Sequence, residues 1–244
     1  MKLKGKVALV TGGAVRVGKA IALGLALRGC HVAITYRSSQ RQALSTVRAL
    51  KKHRIHAMAV RVDQRDGNQV RRAVKEILSH LGRIDILVNS ASSFYPTPWD
   101  QVTEAQWNDL LATNLSGPWF FSQHVGAVMK RRKSGKIINM IDVSVYSPWK
   151  EHLPYSAAKG GLLTLTLGFA KALAPEVQVN GIAPGPILFP EGMPAQEKEK
   201  AIRRTLLKRC GSPKDILEAV LFFVESTDFV TGVILPVDGG RLLS

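Results

Sequence analysis

VALVTGGAVRVGKAIALGLALRG, residues 7–29, decides the fold. Four β-prone residues lead into Thr11, Gly12 and Gly13, and an amphipathic helical pattern follows at once. Gly12 and Gly13 permit a tight turn. Gly18 lets backbone approach closely where the helix begins, so that free helix-start amides can hold a pyrophosphate. Glycines alone say little, because turns use them everywhere; the order strand, glycines, helix is what carries weight. The alternation continues down the chain, with strand-like runs at 32–35, 57–62, 84–88, 136–141, 177–182 and 233–237. Helical patterns such as AAKGGLLTLTLGFAKALA lie between them. This predicts parallel strands joined by right-handed crossovers, and the scarcity of polar residues in several strands predicts a sheet covered on both faces. The expected fold class is α/β: a Rossmann-type, doubly wound, mostly parallel seven-stranded sheet with helices on both faces. We expect one domain over residues 1–244.

Composition narrows the classes. Of 244 residues, 45% are apolar and 21% charged, as in ordinary globular proteins. Cys30 and Cys210 form no CxxC and neighbour no histidine cluster, so we expect a reduced compartment, no disulfide and no metal. No cleavable signal pattern opens the chain, and no apolar run approaches the ~20 residues of a membrane span. The expected location is the cytoplasm, without a membrane partner. The net charge of +16 is unusual and could draw nucleic acid or anionic small molecules. Its residues are scattered, however, and the densest runs, KKHR (51–54) and KRRK (130–133), suit helix C-termini. No nucleic-acid partner is expected.

In such a sheet, ligands bind beyond the carboxyl ends of the strands. After the first strand, Arg16 stands where many dinucleotide folds carry a middle glycine. The second strand ends in Tyr36, Arg37, Ser38 and Ser39. An NAD site places an acid about 20 residues beyond the glycines to hold the ribose 2′-hydroxyl; none is present. Two guanidiniums and hydroxyls suit a 2′-phosphate instead, so NADPH is the expected cofactor. Asp63, after the third strand, is either an adenine contact or a cap on the next helix. Farther on, Tyr155 and Lys159 share one helix face. An ammonium beside a phenol is expected to lower its pKa and make it a usable acid. Asp142 follows the fifth strand, thirteen residues before Tyr155.

TGxxxRxG at 11–18, NxAS at 89–92, Asn114, YxxxK at 155–159 and PG at 184–185 together resemble the short-chain dehydrogenase/reductase family along essentially the whole chain. The resemblance implies cofactor contacts at Gly12, Arg16, Val17, Gly18, Tyr36, Arg37, Ser38, Asp63, Asn89, Ala91, Ser92, Tyr155, Lys159, Pro184 and Gly185. It also implies Asn114 and Lys159 on a water relay, Tyr155 as acid, and a serine where this chain has Asp142. A serine hydroxyl polarises a carbonyl oxygen, whereas a carboxylate repels the developing oxyanion. A heterocycle with N–H donors and a C=N bond fits a carboxyl better.

Aspartate at this position, the glycine loop with arginine, and the wording NSASSFYPTP (89–98), LAPEVQVNGIAPGPILF (173–189) and GMP (192–194) resemble the pteridine reductases, with the dihydromonapterin reductases close by. That branch implies NADPH-dependent reduction of a pterin or folate C=N bond by a homotetramer. Phe94 would stack on the pterin, Arg16 and Ser92 would hold cofactor phosphate and pterin edge, and Leu188, Phe189 and Met193 would close over the substrate. The rival expectations are a reductase of ketones or 3-oxoacyl thioesters, and a non-catalytic NADP- or nucleic-acid-binding protein.

Overall fold

A computed structural model describes residues 1–189 and 192–244. The seven strands are β1 (Val7–Val10), β2 (His31–Tyr36), β3 (Ala57–Arg61), β4 (Ile86–Asn89), β5 (Gly135–Met140), β6 (Val177–Pro184) and β7 (Ile234–Val237). They form one sheet in the order β3-β2-β1-β4-β5-β6-β7, parallel at every pairing. The expected strand positions and fold class hold.

Strand periodicity divides the core into two layers, since alternate residues face opposite sides. Ala8 and Val10, with Val32, Ile34, Ile86 and Val88, pack under α1 (Arg16–Leu27), α2 (Gln40–Lys51) and α8 (Pro213–Leu221). Leu9, Ala33, Leu87 and Val179 face the other way, toward α3 (Gly67–Leu81), α5 (Gly117–Arg131) and α6 (Leu153–Leu173). Between the faces β1, β4 and β5 are buried along their whole length. Among the described residues two shorter α-helices complete the set, α4 (Glu104–Leu111) and α7 (Ala195–Arg203). The basic runs fall where dipoles favour cations: α2 ends at Lys51 and α5 at Arg131.

Strand order reverses beside β1, whose neighbours β2 and β4 lead to opposite halves of the sheet. A crevice opens there beyond the strand ends. Thr11 fixes its floor: its hydroxyl accepts from the amides of Ser90 (2.9 Å) and Ala91 (3.0 Å), tying the end of β1 to the end of β4. Among the described residues no helix is long and apolar enough to cross a membrane.

Candidate active site

The glycine turn is as tight as its sequence requires. A Cβ on Gly12 would fall 2.8 Å from the Ala91 Cα, and one on Gly18 would fall 2.5 Å from the Gly12 carbonyl. Val17 and Gly18 lie in the first turn of α1. Beside the turn is a cleft of about 180 Å³ lined by Gly12, Tyr36, Arg37, Ser38, Asp63 and Ala91 among others. Bare backbone at a helix start with a polar cleft alongside fits a dinucleotide's phosphates and adenosine. Asp63 is not the cap of the following helix; Asp66 is, accepting from Asn68 and Gln69. Asp63 instead pairs with Arg65 at 2.6 Å, and that contact lowers its pKa.

Two expected cofactor contacts also make hydrogen bonds within the protein. Asn89 spends its amide inside the sheet, donating to Asn139 (2.8 Å) and Ser122 (3.1 Å). Arg16 adopts a left-handed φ of 51°, which explains why glycine suits this position. Its guanidinium donates to the Leu188 carbonyl at 3.0 Å and the Phe189 carbonyl at 3.5 Å. The cofactor turn is thereby tied to the segment expected to close over substrate. Met193 lies in the same loop, half-buried; Pro190 and Glu191 between them are outside the described residues. Pro184 ends β6, and Gly185 follows, its amide donating to Val237 (3.0 Å).

Asp142 stands just past β5 with its two oxygens divided between structure and chemistry. Oδ1 caps a single 3₁₀ turn by accepting from the Ser144 amide at 2.8 Å. Oδ2 accepts from the Tyr155 hydroxyl at 3.1 Å. Capping therefore does not exclude a role in the site: the cap aims the second oxygen at the phenol. Asp142 is largely enclosed, and burial raises its pKa against the opposing pull of the Ser144 bonds, Lys159 and Tyr155.

The expected lowering of the Tyr155 pKa is corrected by the structure. Burial and the adjoining Asp142 carboxylate raise it well above the ordinary phenol value, while a hydrogen bond with Ser92 opposes them. Lys159 does share the helix face, but its ammonium lies 5.6 Å from the ring centroid and donates to the Met140 carbonyl at 2.7 Å. Burial brings its own pKa down to about 8, with Asp142 pulling the other way. Tyr155 is thus a phenol kept protonated, a donor by construction.

Asn114 is not in a regular α-helix but in a π-helical turn, Ala112–Ser116, between α4 and α5. Such bulges often mark functional sites. Fully buried, it donates to the carbonyls of Ser93 (2.9 Å) and Leu110 (3.0 Å) and accepts from the Ser92 hydroxyl at 2.5 Å. Ser92 is thereby held by Asn114 next to Tyr155.

Phe94 is 40% exposed, as a stacking platform requires, but one face is already covered. The His152 imidazole stacks on it at 4.3 Å and 4°, and Tyr155 meets the ring edge-on at 4.9 Å. Burial lowers the His152 pKa, favouring a neutral imidazole. Sequence reasoning missed His152 because its partner lies on a distant loop. The two loops meet where the Thr97 amide donates to the Glu151 carbonyl at 2.7 Å.

Comparison with known proteins agrees with this geometry. The family model adh_short_C2, described as enoyl-(acyl carrier protein) reductase, matches residues 13–241. A 2-dehydro-3-deoxy-D-gluconate 5-dehydrogenase of Formosa agariphila is 34% identical over 98% of this chain and 94% of its own. The 3-oxoacyl-(acyl-carrier-protein) reductase FabG of Staphylococcus aureus (strain N315) is 33% identical over 98% of each chain. A solved structure described as a short-chain alcohol dehydrogenase from Sinorhizobium meliloti 1021 superposes with a TM-score of 0.94 at 32% identity, covering 99% of this chain and 98% of the other. Another, a metagenomic blue fluorescent protein in complex with NADPH, gives 0.91 at 32% identity, covering 99% of both. With a switch-point crevice, a glycine turn and a buried tyrosine–lysine pair behind these matches, the chain belongs to the short-chain dehydrogenase/reductase family.

Proposed function

We propose that this chain is an NADPH-dependent reductase of a flat heterocyclic C=N bond, of the dihydropterin or dihydrofolate kind. The observation that carries this reading is the Asp142 carboxylate bonded to the Tyr155 hydroxyl at 3.1 Å. NADPH supplies hydride when bound. Gly12, Val17 and Gly18 would hold its phosphates, Arg37 and Ser38 its 2′-phosphate, Tyr36, Asp63 and Ala91 its adenosine, and Pro184, Gly185 and Lys159 its nicotinamide end. The 32% identical blue fluorescent protein, which binds NADPH, supports the cofactor.

Tyr155 gives its proton toward the substrate nitrogen, and Asp142 orients the donor and accepts N–H groups of the ring. Lys159 keeps a positive charge behind both. Ser92, held by Asn114, steadies the phenol, and Phe94 offers an aromatic edge to a flat substrate. Leu188, Phe189 and Met193 would close the cleft, with Arg16 gripping the first two. The apolar Trp107, Trp119 and Leu167, all exposed, together with Phe229 and Val233 beside edge strand β7, support assembly into a homotetramer. A cytoplasmic location is part of the same reading.

A second reading, reduction of a ketone or 3-oxoacyl thioester, has the stronger support from the relatives, whose names describe carbonyl and alcohol chemistry. The raised pKa of Asp142 also serves it, because a protonated carboxyl can donate to a carbonyl as serine does. NADPH consumption with dihydrobiopterin, dihydrofolate, simple ketones and a 3-oxoacyl thioester decides between them. Preference for the two pterins supports the first reading; preference for a carbonyl substrate overturns it.

A further inference from the structure

Three aromatic rings close in on Phe94. The His152 imidazole lies parallel to it, 4.3 Å away at 4°, while Trp149 and Tyr155 cross it at 5.8 Å and 81° and at 4.9 Å and 75°. Trp149 also crosses the imidazole, at 5.9 Å and 85°. Each is an arrangement that aromatic quadrupoles favour. Held by three rings, Phe94 still keeps 40% of its surface open. A cluster built for packing alone would enclose it.

The imidazole is fixed by its own backbone. His152 immediately precedes α6, its amide donating to the Trp149 carbonyl and its carbonyl accepting from the Ser156 amide, both at 2.9 Å. It stands three residues before Tyr155, so it is set in the same stretch of chain as the proton donor. From the other loop, the fully buried Thr97 pairs with His152 in an isolated parallel bridge. The loop that carries Phe94 is thereby registered on the helix that carries Tyr155 and Lys159. An exposed loop phenylalanine loses rotamer freedom when a ligand orders it, and ordering it beforehand removes that cost from binding.

We infer that His152 is a positioning residue: by stacking on Phe94 it sets the plane of that ring relative to Tyr155, and so selects substrates whose reducible bond lies in a flat ring. The choice of substrate rests on the heterocycle reading above. The fixing of Phe94 rests only on the four-ring geometry.

The test compares wild type with His152→Phe, His152→Ala and His152→Leu, each checked for cooperative thermal unfolding. Steady-state kinetics are measured with dihydrobiopterin and a simple ketone. In parallel, fluorine NMR follows 4-fluorophenylalanine placed at position 94 in each protein. The alanine and leucine variants are expected to raise the dihydrobiopterin KM by about three- to tenfold, the worth of an aromatic pair. Their kcat and their ketone KM should change by less than about twofold, and the planar phenylalanine variant should restore the wild-type KM. The fluorine line should stay in place for phenylalanine and shift or broaden for alanine and leucine. An unchanged KM in the alanine and leucine variants overturns the inference. So does an equal rise in the phenylalanine variant, which would assign the effect to the ring nitrogens. A wild type that prefers the ketone refutes the heterocycle reading instead, and the fluorine line then decides the role of His152 by itself: one line common to all four proteins overturns it.

Discussion

Replacing Asp142 by serine separates the two chemical readings. In the structure Oδ2 lies 3.1 Å from the Tyr155 oxygen, so a carbonyl oxygen taking that proton would sit about 3 to 4 Å from the carboxylate. Two full negative charges at this distance repel by about 4 to 6 kcal/mol at an effective dielectric of about 20. A transition-state oxyanion carries part of a charge, which leaves about 2 to 3 kcal/mol, or roughly 30- to 150-fold in rate. Asp142→Ser is therefore expected to raise kcat/KM on ketones by that factor. It is expected to lower kcat on dihydropterins by about 10²- to 10⁴-fold, the usual worth of a placed proton-transfer group. Following nicotinamide absorbance on both substrates gives the ratio directly. In wild type, ketone turnover should rise as pH falls through the raised pKa of Asp142, because the neutral carboxyl no longer repels; the serine variant should lack that limb. A ratio that does not move on substitution refutes the argument and returns Asp142 to a purely capping role.

Lys159 is ammonium below about pH 8 and neutral above it, so wild-type kcat/KM is expected to fall through an alkaline limb near 8 that Lys159→Met lacks, at a lower overall rate. Its folded pKa lies below the ordinary 10.5, so between these values the unfolded chain binds more protons and stability rises with pH. The charged form is thus a cost of about 3 kcal/mol at neutral pH, and Lys159→Met should unfold at higher temperature there. Arg16→Gly should relieve about 1 kcal/mol of left-handed backbone strain, seen in denaturant unfolding, while freeing the Leu188–Phe189 carbonyls and raising substrate KM several-fold. Lys136, 2% exposed, donates to the carbonyls of Phe223 and Thr227 far from the site; Lys136→Met should cost about 1 to 3 kcal/mol of stability and leave KM unchanged.

Residues 7–29 were enough to predict the first crossover, and the period of the apolar runs predicted the rest of the sheet, because strand and helix periodicity is a local property. The aspartate at 142 was legible as well: its spacing to Tyr155 and Lys159 singles it out in one dimension. What it does with two oxygens was not, since capping Ser144 and meeting Tyr155 depend on how β5 delivers the chain to the start of α6. The Tyr155 pKa shows the same limit. Sequence places Lys159 one helical turn away, but only the packed structure sends the ammonium to the Met140 carbonyl and surrounds the phenol with protein.

Charge and aromatic pairing across distant segments lay beyond one-dimensional reading altogether. Phe94 and His152 meet because loops after β4 and β5 run side by side, and Arg16 reaches the Leu188 carbonyl because the glycine turn faces the loop after β6. The sequence by itself determined the fold, the strand-end residues and the chemical types available at them, since backbone periodicity and glycine freedom act over a few residues. Only the tertiary structure decided which of those groups touch and which proton each one keeps, because hydrogen bonds and desolvation depend on neighbours that folding brings together.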